Sequence, residues 1–281
     1  MEEIRIVADS SADIMSLDEA SFACAPLRIV TKDKEYTDDE NLDVLQMVSD
    51  LQSYKGKSST SCPSIGDWLN AFGGAKQVIC ATITSTLSGS YNAAMAAKKM
   101  YEEEDPTRRV FVLDSLSAGP EIMLMVEKIR NLINEGKSFD EVCEGVVKYT
   151  KKTGLLFMLE SLKNISNNGR VNPIVAKMAG LLGIRLVGKA SDRGDLEPLD
   201  KCRGEKKAIE AIISHMKELG FSNGIVRISH CFNENAAKAL KSMIENTFQG
   251  AKVTLHRARG LCSFYAEKGG LLIGFEKAVT V

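Results

Sequence analysis

The chain has 281 residues, enough for one large domain or two ordinary ones. Its 44% hydrophobic and 26% charged residues exclude a disordered or fibrous protein. A formal net charge of -1, with Lys and Arg scattered and no basic run beside aromatics, excludes the electrostatic footprint of a nucleic-acid or anionic-membrane binder. Small molecules or other proteins are therefore the expected partners. The opening "MEEIRIVADS" is acidic and enters a strand pattern at once, unlike a signal peptide. No apolar run approaches the roughly 18 residues of a membrane span. Seven cysteines, widely spread and without a C-x-x-C pair, read as reduced thiols in the cytoplasm.

In chain order, the first half alternates apolar β-rich runs with helical patterns. The runs are "IRIVA" (4 to 8), "PLRIVT" (26 to 31), "QVICATIT" (77 to 84) and "RVFVLD" (109 to 114). This alternation predicts a parallel sheet with crossover helices. Ser64 with Asp67, and Ser138 with Glu141, stand at the capping-box spacing that starts a helix. The stretch after Gly89 is rich in Ala, Met, Lys and Glu, which are strong helix formers.

Past about residue 155 the texture changes. "GLLFML" leads into the Gly- and Asn-punctuated "NISNNGRVNP" and then a hairpin-like pair around "SDRGDL". A helix over 204–219, the strand "GIVRIS", a helix over 233–248 and the strands "KVTLHR" and "LLIGFE" complete the pattern. The expected architecture is two α/β domains. Residues 1–157 form a mostly parallel sheet with flanking helices, and 158–281 form an α/β domain with a mixed, partly antiparallel sheet. No Pro- or Ser-rich linker separates them, so they are expected to pack closely around a cleft.

In an open parallel sheet, ligands bind where strand ends lead into helix N-termini. The junctions here are "ADSSAD", "TSCPSIGDW", "TSTLSGSYN" and "DSLSAGPE", and every one carries Ser or Thr. Any one such loop is more often a helix cap than a site; four together predict a shared oxyanion pocket. Ser88 and Gly89 offer a hydroxyl and a close backbone approach, and Thr60 and Ser61 offer the same chemistry from another loop. No phosphate loop of the G-x-x-x-x-G-K-[ST] kind occurs, so a carboxylate fits better than a phosphate, with Arg170 or Arg203 able to approach from the second domain.

Catalytic readings find less support. Cys62 lies two residues ahead of a helix start, a position that favours a reactive thiol, but a Cys nucleophile needs a His partner. Of the three histidines, His215 falls on a helical pattern, while His230 and His256 are strand-end positions that nothing in the sequence brings to Cys62. G-x-S-x-G is absent. Asp9 and Asp114, each at a strand end before Ser, read as loop-orienting residues ahead of metal ligands or bases. No His or Cys cluster has metal-ligand spacing, so neither a metal nor another cofactor is expected. The Met- and Leu-rich "EIMLMVEKI" and "AKMAGLLG" fit a filled core, or equally the lining of an apolar tunnel.

Taken in order, these loops resemble the DegV family of bacterial fatty-acid-binding proteins, and the match runs nearly end to end. "VADSSAD" is similar to the family's opening Asp-Ser motif, "TSCPS" to its Thr-Ser-x-Pro-Ser signature and "STLSGSY" to its Leu-Ser-Gly-Thr-Tyr signature. "VLDS", "NGR", "KCRGEKKA" and "ISH" follow in the expected order. The resemblance implies a non-catalytic carrier that buries a long-chain fatty acid, its carboxylate held by Thr60 and Ser88 with Ser61 and Gly89 as adjacent supports. It implies Arg170 near the head-group end. Some relatives present the acid to a separate fatty acid kinase that makes an acyl phosphate, so the resemblance admits such a kinase as partner.

Three departures stand out. Cys62 replaces the family's usual Gln, the segment between the two signatures is short, and a late His-x-Gly-Pro-Gly motif is missing. Where that His falls the chain reads "SFYAEKGG", with Tyr265 the nearest polar aromatic. Lipid carriage therefore follows more directly than kinase partnership. The rival reading is an enzyme: a thiol-dependent acyl transferase using Cys62, or a phosphotransferase acting on a small hydroxylated substrate.

Overall fold

The computed structural model describes residues 3–171 and 183–277. The chain opens on strand β1 (Ile4–Asp9), in which only Arg5 is less than buried. A single 3-10 turn, Ser10–Ala12, follows. Strand β2 (Phe22–Ala25) then lies parallel to β1, with Ile6 opposite Phe22. Pro26 has no N–H to continue that ladder, and the chain leaves the sheet there. This is why "PLRIVT" is not the second parallel strand. Its residues form β3 (Arg28–Val30), which pairs antiparallel with β4 (Glu35–Thr37). After helix α1 (Val44–Ser53), strand β5 (Ser59–Ser61) joins the other edge of β3, placing Thr60 opposite Ile29.

Helix α2 (Ile65–Phe72) starts with the expected capping box: Ser64 Oγ accepts from Asp67 N while the Asp67 carboxylate accepts from Ser64 N. Strand β6 (Gln77–Thr82), helix α3 (Ser90–Glu104) and strand β7 (Arg109–Asp114) complete the parallel sheet, in the order β2-β1-β6-β7. Successive strand residues point to opposite faces, and here both faces are covered. Val7, Val78 and Cys80 pack with Trp68, Phe72 and Ala94 of α2 and α3. Ile6, Ile79 and Ala81 pack under α4 (Pro120–Asn134) and α5 (Phe139–Thr150), the latter capped by Ser138 as expected.

The second sheet begins with β8 (Thr153–Leu159), buried along its whole length. After the short α6 (Lys163–Asn167), strands β9 (Ile184–Ala190) and β10 (Leu196–Arg203) form the expected hairpin. Helix α7 (Glu205–Glu218), strand β11 (Gly224–His230), helix α8 (Glu234–Thr247), strand β12 (Ala251–Arg257), helix α9 (Gly260–Ala266) and strand β13 (Leu271–Glu276) follow. The strand order is β10-β9-β8-β13-β11-β12, and only β11 and β12 are parallel. The fold is thus α/β with one parallel and one mixed sheet, as expected, together with the small antiparallel sheet β4-β3-β5.

Helices α7 and α8 bury one face of the mixed sheet, over Leu156, Met158, Val226 and Ile228. Helix α4 touches β8, β11 and β13 as well as β1 and β6, so it lies between the two sheets. Gly274 makes this possible, because a Cβ there would stand 2.5 Å from the backbone N of Glu121. A paired contact, Arg227 Nη2 to Glu127 Oε2 at 2.9 Å, ties β11 to the same helix. Residues Ile122, Met125 and Val126 of "EIMLMVEKI" are therefore core, and none of them lines the cavity of the candidate site. "AKMAGLLG" lies outside the described residues except for Gly183.

Candidate functional site

The carboxyl end of β1 carries the scaffold of the site. Asp9 is fully buried, and its Oδ2 accepts from Ile83 N at 2.9 Å and from Ser90 Oγ at 2.5 Å. Its Oδ1 accepts from Ser11 N at 3.2 Å and from the Ser11 hydroxyl. One carboxylate thus joins the loop after β1, the loop after β6 and the first residue of α3. Burial raises the Asp9 pKa against the lowering effect of these bonds. Asp114 plays a smaller version of the part, its Oδ1 accepting from Ser85 N at 3.1 Å and Leu116 N at 3.2 Å. Both residues orient loops, as their sequence positions suggest.

Three of the four hydroxyl-rich junctions meet at a cavity of about 320 Å³. Thr60, Ser61 and Cys62 reach it from β5, Thr84, Ser88 and Gly89 from the loop before α3, and Ser117 from the loop before α4. The fourth junction does not reach it. Ser10 Oγ is engaged with Leu27 N at 3.0 Å and Ser11 with Asp9, so the "ADSSAD" hydroxyls brace the site from behind. Cys62 and Gly89 are close: a Cβ on Gly89 would lie 3.2 Å from the Cys62 Sγ. Arg170 lines the same cavity and donates to Leu87 O at 3.4 Å and Asn168 O at 2.6 Å. Arg203 is exposed on β10 and does not line it.

The rest of the wall is apolar. Leu155, Phe157 and Leu159 face the cavity from β8, alternating with Leu156 and Met158, which face the core beneath α7. The unbroken apolar run "GLLFML" is the sequence signal of a strand buried on both faces; which of its residues face the cavity is set by the fold. Leu261, Cys262, Tyr265 and Ala266 contribute from α9, an element not legible in the sequence pattern.

Two buried aspartates hold α9 in place. Asp38 accepts from Gly260 N at 2.9 Å and Leu261 N at 2.8 Å, and Asp13 accepts from Arg259 N at 2.8 Å. Burial pushes the Asp13 carboxyl up to about 7 and that of Asp38 upward as well. At the other end of α9, Asn164 Nδ2 donates to Phe264 O at 2.8 Å. Tyr265 is thereby aimed at β5, where its hydroxyl lies 2.7 Å from Thr60 Oγ1. Burial raises the Tyr265 pKa, against the lowering effects of the Thr60 bond and the Arg170 charge.

The β9–β10 hairpin roofs the cavity with Ala190, Gly194, Asp195 and Leu196. Thr86 Oγ1 donates to Arg193 O at 2.6 Å, and Gly194, at φ +82°, presses on Thr84. None of the three histidines lines the cavity. His215 bonds Asp200 at 2.7 Å and Glu218 at 2.9 Å, His256 bonds Thr254 at 2.9 Å, and His230 is buried at the end of β11. A Cys62–His pair is not assembled. Among the described residues no group of three or more His, Cys, Asp or Glu side chains is arranged to hold a metal ion, and no helix is long and apolar enough to cross a membrane.

Hydroxyls and an arginine in one cavity whose wall is otherwise mostly apolar define a protein suited to a ligand with a polar head and a hydrocarbon body. The family model described as "uncharacterised protein, DegV family" matches residues 3–278, and the chain belongs to the DegV family. A DegV domain-containing protein of Streptococcus pneumoniae is 42% identical over 276 residues, covering 97% of this chain and 98% of that one. Among solved structures, the fatty acid kinase (Fak) B3 protein of S. pneumoniae, loaded with linoleic acid, is 42% identical with a TM-score of 0.96, covering 98% of this chain and all of the other. A DegV family protein of Eubacterium eligens loaded with heptadecanoic acid is 41% identical, also with a TM-score of 0.96 and the same coverage.

Proposed function

We propose that this protein binds one long-chain fatty acid and acts as its carrier, with no catalysis of its own. The carboxylate is held by Thr60 and Ser88, with Ser61 and Gly89 as adjacent supports, and the chain lies along Leu155, Phe157 and Leu159. The observation that carries this reading is the meeting of hydroxyls and an apolar wall in one cavity. A carboxylate only accepts hydrogen bonds, so hydroxyl and amide donors match it without a dedicated counter-ion. Arg170 adds positive charge near the head group or contacts a partner. A cavity of about 320 Å³ falls at the low end of the roughly 300–1,000 Å³ range of ligand sites, suited to one slender molecule. The acids held by the similar Eubacterium and Streptococcus proteins support a linear acyl ligand.

The name of the pneumococcal relative supports a separate fatty acid kinase as partner, and we take the cytoplasm as the place of action, which the widely spread cysteines suit. On this reading the protein needs no metal or other cofactor. The division expected near residue 157 we place just ahead of β8, which belongs whole to the mixed sheet, so that the residues after it close over the acyl chain. The test is the affinity of the Thr60→Val, Ser88→Ala double variant for a long-chain acid. Its binding is expected to weaken by about 2–4 kcal/mol, the scale of two hydrogen bonds to a charged group, with thermal stability little changed. An unchanged affinity rejects the head-group assignment.

A further inference from the structure

Thr60 has one hydroxyl proton, and Tyr265 stands 2.7 Å from its oxygen. If Thr60 donates to Tyr265, it has no proton left for a ligand. If Tyr265 donates to Thr60, the threonine proton is free to point into the cavity. The tyrosine is held firmly, since α9 is anchored through Asp38 at one end and Asn164 at the other, and its ring stacks edge-on against Phe264 at 4.9 Å. Thr60 is in turn fixed by the pairing of β5 with β3. Neither hydroxyl can readily leave the other.

We infer that Tyr265 is a positioning residue that makes the site selective for head groups able only to accept hydrogen bonds. An acceptor-only anion orders the chain as Tyr265 O–H to Thr60 Oγ1, then Thr60 O–H to the ligand oxygen. A phenol is the more acidic hydroxyl and the better donor, so the direction is the favourable one, and each bond strengthens the next. Burial keeps the phenol protonated, and the Arg170 charge lies close enough to affect it. A ligand hydroxyl, which can donate as well as accept, binds whichever way the chain points and gains nothing from the tyrosine. The inference rests on the fatty-acid reading above but makes a separate claim about discrimination between head groups.

The experiment compares hexadecanoate with hexadecanol, each competing against a fluorescent fatty acid on delipidated protein. Tyr265→Phe keeps the ring and its packing while removing the donor. The expected result is a loss of up to about tenfold in hexadecanoate affinity, the upper end for one hydrogen bond between neutral groups, with hexadecanol within about twofold of the parent. Tyr265→His, which restores a donor, is expected to recover most of the selectivity. Equal loss for acid and alcohol, or an unchanged acid affinity in Tyr265→Phe, overturns the inference and leaves fatty-acid binding intact. A parent protein that takes up neither probe overturns the fatty-acid reading itself.

Discussion

The carboxylate of Asp9 and the hydroxyl of Ser90 meet at 2.5 Å across 81 positions of chain, in a fully buried setting. Ser90 is the first residue of α3 and directly follows Ser88 and Gly89. The loop that brings Ser88 to the cavity is therefore fixed from behind by a group that does not line the cavity.

Replacing this carboxylate should couple stability to binding. Asp9→Ala leaves the Ile83 N–H and the Ser90 hydroxyl without their acceptor in the interior. Unpaired buried donors of this kind cost about 1–3 kcal/mol each, offset in part because a buried charge is also removed. The expected outcome is a net destabilisation of about 2–4 kcal/mol, seen as a lower urea midpoint with the slope unchanged, and a weaker fatty-acid affinity. An unaltered midpoint contradicts the role assigned to Asp9.

Gly194 sits at φ +82°, and a Cβ on it would fall 2.0 Å from Thr84 Oγ1 and 3.1 Å from Leu116 Cα. Gly194→Ala combines backbone strain with a collision that turning the Thr84 side chain cannot fully relieve, because the Thr84 Cβ at 2.9 Å and the Leu116 backbone stay in the way. The hairpin tip should lift from the cavity, weakening the bond from Thr86 to the Arg193 carbonyl. Transfer of bound fatty acid to acceptor vesicles should quicken markedly while the far-ultraviolet spectrum is unchanged. Transfer at the parental rate contradicts the hairpin's part as a roof.

Asp13 gives a pH dependence of defined sign. Its folded-state value of about 7 lies above the ordinary 3.8, chiefly because of burial. Its contribution to stability is thus full below about pH 4 and is lost as pH rises through about 7. Asp13→Asn keeps an acceptor for Arg259 N, suits the left-handed φ of +61°, and cannot ionise. The expected outcome is a flatter stability profile between about pH 5 and 8, with the variant gaining on the parent at the alkaline end. The gain is a few kcal/mol at most, since a tenfold change in proton affinity is worth about 1.4 kcal/mol. Parallel profiles for the two proteins contradict the assignment.

Much of this is legible in the residues. β1, β6 and β7 announce themselves as apolar runs, and the Ser64 and Ser138 capping boxes stand where their spacing puts them. The strand pattern of "PLRIVT" points to the wrong sheet because strand character carries no record of the partner strand, and Pro26 breaks the ladder just before it. At the site, Thr60, Ser61, Ser88, Gly89 and Arg170 do meet in one cavity. The Ser10 and Ser11 hydroxyls do not, because composition cannot tell a hydroxyl that brings a ligand in from one that braces a loop. Asp38, Asp13 and α9 are invisible for a related reason: their effect is exerted across 222 and 246 positions of chain, where only the fold joins them.

The central claim is that the cavity holds a fatty acid, and native mass spectrometry of the protein as purified tests it most directly. The account predicts a mass excess of one long-chain fatty acid per chain, released on denaturation and identified by its fragment ions. A protein that is ligand-free as purified, and that remains so after incubation with long-chain fatty acids, would contradict it.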